Sequence, residues 1–454
     1  YKETNSWKVA EPSDAALKGK WWEMFNDPQL NALEDQVNIS NQNIAAALQN
    51  FLAARSLVKQ AQSSLFPTVT ADPGLTKSKP ARSGGGTLTS STNGTGSIYS
   101  SYSLPLDASW EPDLWGSIRN TVRADAYAAQ ATAATLENMR LTAQAELAVD
   151  FYELRGQDEL IRLYDETVKG YQQSVDLTRT LFETGIDSEL DVVQADTLLQ
   201  TTLAQATGLA IQRAQLEHAI ALLAGQPAST FSLNPAPIET QLPSVPVGLP
   251  SQLLERRPDV ASAERTVAQA NAQIGVARAA YFPALSLTGS TGFQSTSLAD
   301  LLTPPSFFWS LGATLSQTIF DAGRRKAVND QAWATYRSTV ATYRQTVLTA
   351  FQQVEDNVAA LRILSAEMQQ QQVAVKASQR NVELAVERYK LGVNSYLNVI
   401  TAQVTLLNNQ QTAVNLREQQ MTSTVQLIMA LGGGWDTNNL PSSKKLALKP
   451  PPSS

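Results

Sequence analysis

Side chains that could catalyse are scarce in this 454-residue chain. It has no cysteine, which removes thiolate metal sites, cysteine nucleophiles and disulfide scaffolds. The only histidine, His218, sits in the helical run Gln215-Leu-Glu-His-Ala-Ile220. One imidazole cannot build a metal site, and a solvated helix position accounts for it. Ser83-Gly-Gly-Gly86 could cradle a phosphate, but no Lys-Ser/Thr follows and no helix opens there. The remaining polar groups of interest flank two glycines. Asp187, Asp191 and Asp196 follow Gly185; Tyr389 precedes Gly392, and Asn398 and Thr401 follow it. Asp191 falls in the first turn after Ser188, where a helix dipole favours a carboxylate. No enzyme is expected, and no cofactor or metal.

The balance of charge points the same way. A net charge of −6 argues against nucleic acid as a partner, and no polybasic run marks an acidic lipid surface. No stretch approaches the roughly 20 apolar residues of a spanning helix, so membrane residence would have to be by strands. Absence of cysteine suits an oxidising compartment such as the periplasm. The opening Tyr1-Lys2-Glu3-Thr4 has no charged-then-apolar leader, so a signal peptide is expected to have been removed or never to have existed.

The elements that hold these groups are written twice. Gly116, Gly185 and Gly225 recur as Gly323, Gly392 and Gly432, each 207 residues on. Phe182-Glu-Thr-Gly-Ile-Asp-Ser188 lies over Tyr389-Lys-Leu-Gly-Val-Asn-Ser395, and Leu65-Phe66-Pro67 over Tyr281-Phe282-Pro283 at an offset of 216. Such self-similarity signals duplication. Each half reads helix, strand, loop, strand, long helix, turn, helix. Gly116 to Pro227 and Gly323 to Pro441 are free of internal proline. Val347, Phe351, Val354, Val358 and Leu361 form an apolar stripe at helical spacing. A run of about 67 residues at 1.5 Å each would be about 100 Å long. Helices of that length need neighbours throughout, so an extended coiled-coil bundle follows. A soluble coiled-coil rod would share this periodicity.

Strand patterns separate the two. After Phe66-Pro67 the period becomes two: Val69, Ala71 and Leu75 against Thr68, Thr70, Asp72 and Thr76. Tyr102, Leu104, Leu106, Ala108 and Trp110 alternate with Ser101, Ser103, Asp107 and Ser109. In the second half Leu285 and Leu287 oppose Ser286 and Thr288, and Phe307, Trp309, Leu311, Ala313 and Leu315 oppose Ser310, Thr314 and Ser316. One apolar and one small-polar face over about 10 residues is the pattern of transmembrane β-barrels. Lys77–Ser97 reads as a Gly/Ser/Thr/Asn loop; its shorter counterpart, Ser297–Ser306, carries Pro304-Pro305. Four strands cannot close a membrane barrel, and an open edge in lipid is untenable. The protomer must therefore oligomerise; three copies give twelve strands around a Ser/Thr-lined lumen.

Several motifs carry a resemblance. Trp21-Trp22-Glu-Met-Phe25-Asn-Asp27-Pro28-Gln-Leu30, Ser109-Trp-Glu-Pro-Asp-Leu-Trp-Gly116, Leu253-Leu-Glu-Arg-Arg-Pro-Asp259 and Leu431-Gly-Gly-Gly-Trp435 occur in order around the duplicated core. In these the chain strongly resembles the TolC family of outer-membrane efflux proteins, particularly the OprM-like channels of multidrug pumps. The resemblance implies a mixed α and β membrane protein: a homotrimer whose 12-stranded β-barrel, four strands per protomer, continues into a long α-helical barrel, with an equatorial layer. The expected division is an equatorial segment 1–30, a helix 31–64, a barrel hairpin 65–112, and helices 117–224. An equatorial linker 225–250 leads to a helix 251–280, a hairpin 281–320, helices 324–431 and an equatorial tail 432–454. The implied partners are a periplasmic adaptor protein, an inner-membrane transporter of the RND type, and outer-membrane lipid. The implied role is a passive exit duct. With one His and five Met there is no soft-metal relay, so small organic cargo leads over the metal-ion or protein ducts that share the fold. Relatives often begin with a lipidated cysteine shortly before a Pro-Asp-Tyr segment. Tyr1-Lys2 matches the end of such a segment, which would put a lipid site upstream.

The resemblance also assigns the apex. The matching tips meet the adaptor, which gives Gly185-Ile186 and Gly392-Val393 to docking. The family closes its periplasmic aperture just past the second tip with an apolar or acidic ring and bridging side chains. Leu397 matches the apolar ring. Asn398 and Thr401 stand where relatives often carry aspartate, while Asp191 keeps the acid in the first half and Tyr389 matches a bridging tyrosine. Leu397 as plug and an Asp191–Tyr389 hydrogen bond as latch are the expected gate.

Overall fold

The computed structural model describes residues 19–79, 98–238, 242–243, 256–437, 440–442 and 446. The glycine-rich loop around Ser83–Gly94, the opening Tyr1-Lys2, Leu253–Glu255 and parts of the linker and tail lie outside the described residues. The helices are α1 (Pro28–Ser40), α2 (Gln42–Ser63), α3 (Ser117–Glu183), α4 (Glu189–Leu223), α5 (Pro258–Ala279), α6 (Arg324–Lys390) and α7 (Tyr396–Ala430). The strands are β1 (Thr68–Ala71), β2 (Gly74–Ser78), β3 (Tyr99–Trp110), β4 (Ala284–Ser295) and β5 (Phe307–Ser316). Helices α3 and α6 are each 67 residues, α4 and α7 each 35, and α2 and α5 each 22. The two halves therefore repeat element by element.

Sequence motifs supply the ends of these elements. Asp27 caps α1 by accepting from the Gln29 and Leu30 amides, with Pro28 in the first turn. Asn41 interrupts the helix expected over 31–64. Its Oδ1 accepts from the Asn43 and Ile44 amides, while Nδ2 donates to the Leu223 carbonyl at the end of α4. Arg257 does the same for the second half, donating to the Ala430 carbonyl at 3.0 Å. Asp113 accepts from the Ile118 and Arg119 amides at the start of α3. Trp115 of the same motif stacks on Phe282 at 4.8 Å and donates to the Pro283 carbonyl.

The chain forms two compact units. One comprises Leu52–Ala131, Glu264–Thr342 and Pro441–Ser454 and contains the sheet. Strand order is β1-β3-β4-β5, all antiparallel, with β2 also on β3. The first strand, expected to be continuous, is broken at Asp72-Pro73 because Pro73 has no amide to donate. β1 and β2 nevertheless keep one register against β3. Register aligns Val69, Ala108, Gly289 and Leu311 in one row and Thr70, Asp107, Ser290 and Ser310 in the next. Val69, Leu75, Leu104, Leu106, Trp309, Leu311 and Leu315 are exposed. A large apolar face left bare in this way fits lipid.

The other unit comprises Tyr1–Phe51, Thr132–Ala263 and Tyr343–Leu440. Its main core joins Trp21, Trp22, Phe25, Leu30 and Val37 to Leu147, Phe151 and Tyr152 of α3 and Val425 and Ile428 of α7. The double-Trp motif is thus packing. Beside it Asp158 is sealed between two guanidiniums, accepting from Arg155 at 2.9 Å and Arg213 at 2.7 Å, and from the Ala236 amide. Arg155 and Arg213 also donate to the Asn234 and Leu233 carbonyls, which fastens the segment after α4 to α3. Asp158→Ala strands two largely buried cations and is expected to cost about 3–5 kcal/mol. Thermal melting of the detergent-solubilised protein checks this; an unchanged midpoint would contradict the assignment.

Candidate functional site

Two helical hairpins in the second unit present the candidate site. Helix α3 ends at Gly185 (φ +75°) and α6 at Gly392 (φ +68°), left-handed positions that favour glycine. The Ile186 amide donates to the Leu181 carbonyl and that of Gly185 to Phe182. Val393 and Gly392 repeat this on Arg388 and Tyr389, so both ends are Schellman motifs. Ser188 and Ser395 take up the N-cap positions of α4 and α7, but neither hydroxyl makes a capping bond. The serines expected to cap serve there by backbone conformation alone.

The hairpins pack through Tyr171, Val175, Ala195, Leu199, Ala385, Tyr389, Tyr396, Val399 and Ala402. Tyr389 and Tyr396 are buried, with ring centroids 5.2 Å apart. The expected latch needs one correction: the Tyr389 hydroxyl donates to Asp187, not to Asp191. Asp187 sits in the turn itself, which swings its carboxylate over the neighbouring helix end. Asp191, one helical turn on, shares a hydrogen bond with Asp187. Two carboxyls can bond only if one keeps its proton. Partial burial and the adjacent Asp187 accordingly push Asp191 up to about 6. Asp187, although partly desolvated, is held below the usual aspartate range by bonds from Asp191, Tyr389 and the Ser188 amide. Burial and the Asp187 carboxylate raise the Tyr389 phenol, keeping it a donor.

The other expected site residues lie outward. Ile186 is 74% exposed and Val393 61%. Leu397 is exposed too, as is Asn398. Thr401 directs its hydroxyl to the Leu397 carbonyl of its own helix at 2.9 Å. Leu190, Val193 and Leu391 join this bare apolar group. They were not singled out in the sequence, although apolar residues beside a glycine turn were the available signal. His218 is an exposed helix residue. Among the described residues no group of His, Asp or Glu could hold a metal ion.

The sheet's two edges are the second feature. β1 pairs only with β3 and β5 only with β4, so each leaves one row of amides and carbonyls without a strand.

The family model for "Outer membrane efflux protein" matches residues 33–226 and 249–433. The chain belongs to the outer membrane efflux protein family. Among curated relatives of this family it is 33% identical, over 93% of its length and 86% of theirs, to the toluene efflux pump outer membrane protein TtgC of Pseudomonas putida. It is 31% identical to the pyoverdine export outer membrane protein OpmQ of Pseudomonas aeruginosa, covering 96% of this chain and 92% of that one. The solved outer-membrane channel OprN superposes with a TM-score of 0.85 at 28% identity, over 96% of this chain and 98% of the other. An outer membrane efflux protein is a transporter and not an enzyme, which agrees with the shortage of catalytic side chains. The lipid-like face of the sheet is accounted for in the same way.

Proposed function

We propose that this chain is the outer-membrane exit duct of a tripartite pump, passing small organic compounds received from a periplasmic adaptor and an inner-membrane transporter. The observation that carries this reading is the sheet: four lipid-compatible antiparallel strands with both edges unpaired. Unpaired edges cannot persist in hydrocarbon, so β5 of one copy pairs with β1 of the next. Three copies then close twelve strands around a polar lumen, since eight would leave an interior filled by side chains. Toluene and pyoverdine, named for two relatives, are both organic, which supports organic cargo here. The exposed Ile186 and Val393 turns are the adaptor-docking tips, and Leu397 with the Tyr389–Asp187–Asp191 group closes the periplasmic end. Deleting the chain in its host should raise retention of organic solvents and antibiotics, with restoration by the intact copy. Unaltered retention would count against it.

A further inference from the structure

We propose that helix α6 of each copy docks along helix α4 of the next copy through three apolar pairs: Leu348 with Leu222, Ile363 with Ile211, and Val373 with Leu203. This deepens the trimer reading and rests on it, because it names the helical surfaces that join the copies.

The argument starts from the seam inside one chain. Helices α3 and α7 run antiparallel in contact. Gln403 of α7 donates to Ser174 of α3 at 3.0 Å. A Cβ placed on Gly156 would run into the Glu418 carboxyl, and one on Gly433, just after α7, into Leu141. As the α3 number falls from 174 to 141, its partner rises from 403 to 433. Each of these positions has a counterpart 207 residues away, on α6 for α3 and on α4 or the turn after it for α7. Duplication therefore creates a second seam of the same form, α6 against α4, which one chain cannot complete by itself.

Burial agrees. Leu141 is 7% exposed, whereas its counterpart Leu348 is 62% exposed. Ile363 and Ile211, the counterparts of Gly156 and Glu418, are both bare. Val373 and Leu203 stand in for Glu166 and Gln410, which line one groove between α3 and α7, and both are exposed. Leu222, also exposed, falls opposite Leu348 at the same level. At 100° per residue the three α6 residues and the three α4 residues each fall within a sector of about 100°, one face of a helix. Bare apolar residues of one chain thus meet at matched levels when a second copy supplies α4.

The chemistry of the two seams differs in the direction this assignment requires. The seam within the chain tolerates half-buried carboxyls: burial, with the neighbouring Glu153, pushes Glu418 up to about 7. On the other seam the corresponding residues are Ile211 and Ala360, so copies join without burying charge. Apolar contact is what association from separate chains favours.

The chain has no cysteine, so introduced thiols report without background. Ile211→Cys and Ile363→Cys in one chain, treated with a short bis-maleimide in native membranes, should give covalent trimers on denaturing gels. Each single variant should stay unlinked, and co-expressed singles should give linked dimers. Leu222→Cys with Leu348→Cys should repeat the result should the first pair fail to assemble. Links confined within one chain, or none while the detergent-solubilised variant still measures as three copies, would overturn the α6–α4 pairing and leave the trimer standing. A parent protein measuring as a monomer would remove the trimer and this seam together.

Discussion

Export is expected to be abolished when Ile186 and Val393 are both replaced by aspartate, with trimers still present in the outer membrane. The two side chains are largely bare at turns whose backbones are closed by their own hydrogen bonds. The fold of the turn therefore does not depend on them. Seated in an adaptor, each would contribute about 1.5–3 kcal/mol of burial. Losing both weakens each docking by about a hundredfold or more, before counting the cost of leaving carboxylates unpaired in an apolar contact. The measurement is drug accumulation alongside the trimer content of membranes. Export at the parent level would show that the adaptor grips elsewhere.

Opening the periplasmic end carries the second large effect. Tyr389→Phe deletes the donor that ties the end of α6 to the turn after α3 in the same chain. A hydrogen bond to a charged group is worth about 1.5–3 kcal/mol, so the open population should rise about 10- to 100-fold wherever closure dominates. Leu397→Ala removes an exposed apolar side chain at the aperture. Each variant should raise the conductance of the isolated trimer in planar bilayers, and the pair more than either. Parent-like conductance in both would move the gate elsewhere.

Proton linkage adds a sign. Asp191, at about 6 when packed on Asp187, would return toward the ordinary aspartate value near 4 once the apex spreads. The closed apex thus binds more protons between about pH 4 and 6, so closure weakens as pH rises through that window. Asp187 is lowered, so its contribution is lost only in stronger acid, below that window. The groups facing Asp191 are Asp187 and Ser188 beside it, Tyr389 from α6 and Tyr396 from α7. Parent conductance should be lower at pH 5 than at pH 7, and Asp191→Asn should flatten the difference. An equal slope in both proteins would contradict the shared proton.

Much of the architecture was legible because it is repeated. The glycines at 185 and 392 and the proline-free runs set the hairpins, and strand alternation set the lipid face. Local geometry was harder to read. Asp187 and Asp191 are both acids near one turn, and only the path of the backbone through Gly185 decides which reaches Tyr389. Ser188 and Ser395 had capping identities, yet the capping bond depends on a rotamer that spacing does not fix. Asn41 breaks a helix because it reaches the Leu223 carbonyl 182 residues away, a contact no local pattern encodes. Pro73 splits a strand whose register is unaffected.

The central claim is that the open-edged sheet is completed by exactly two further copies in lipid. Mass measurement of the protein extracted from membranes in mild detergent, with bound detergent subtracted, tests it most directly. The account predicts a particle of three chains that aggregates when the detergent is withdrawn; a stable, water-soluble monomer would contradict it.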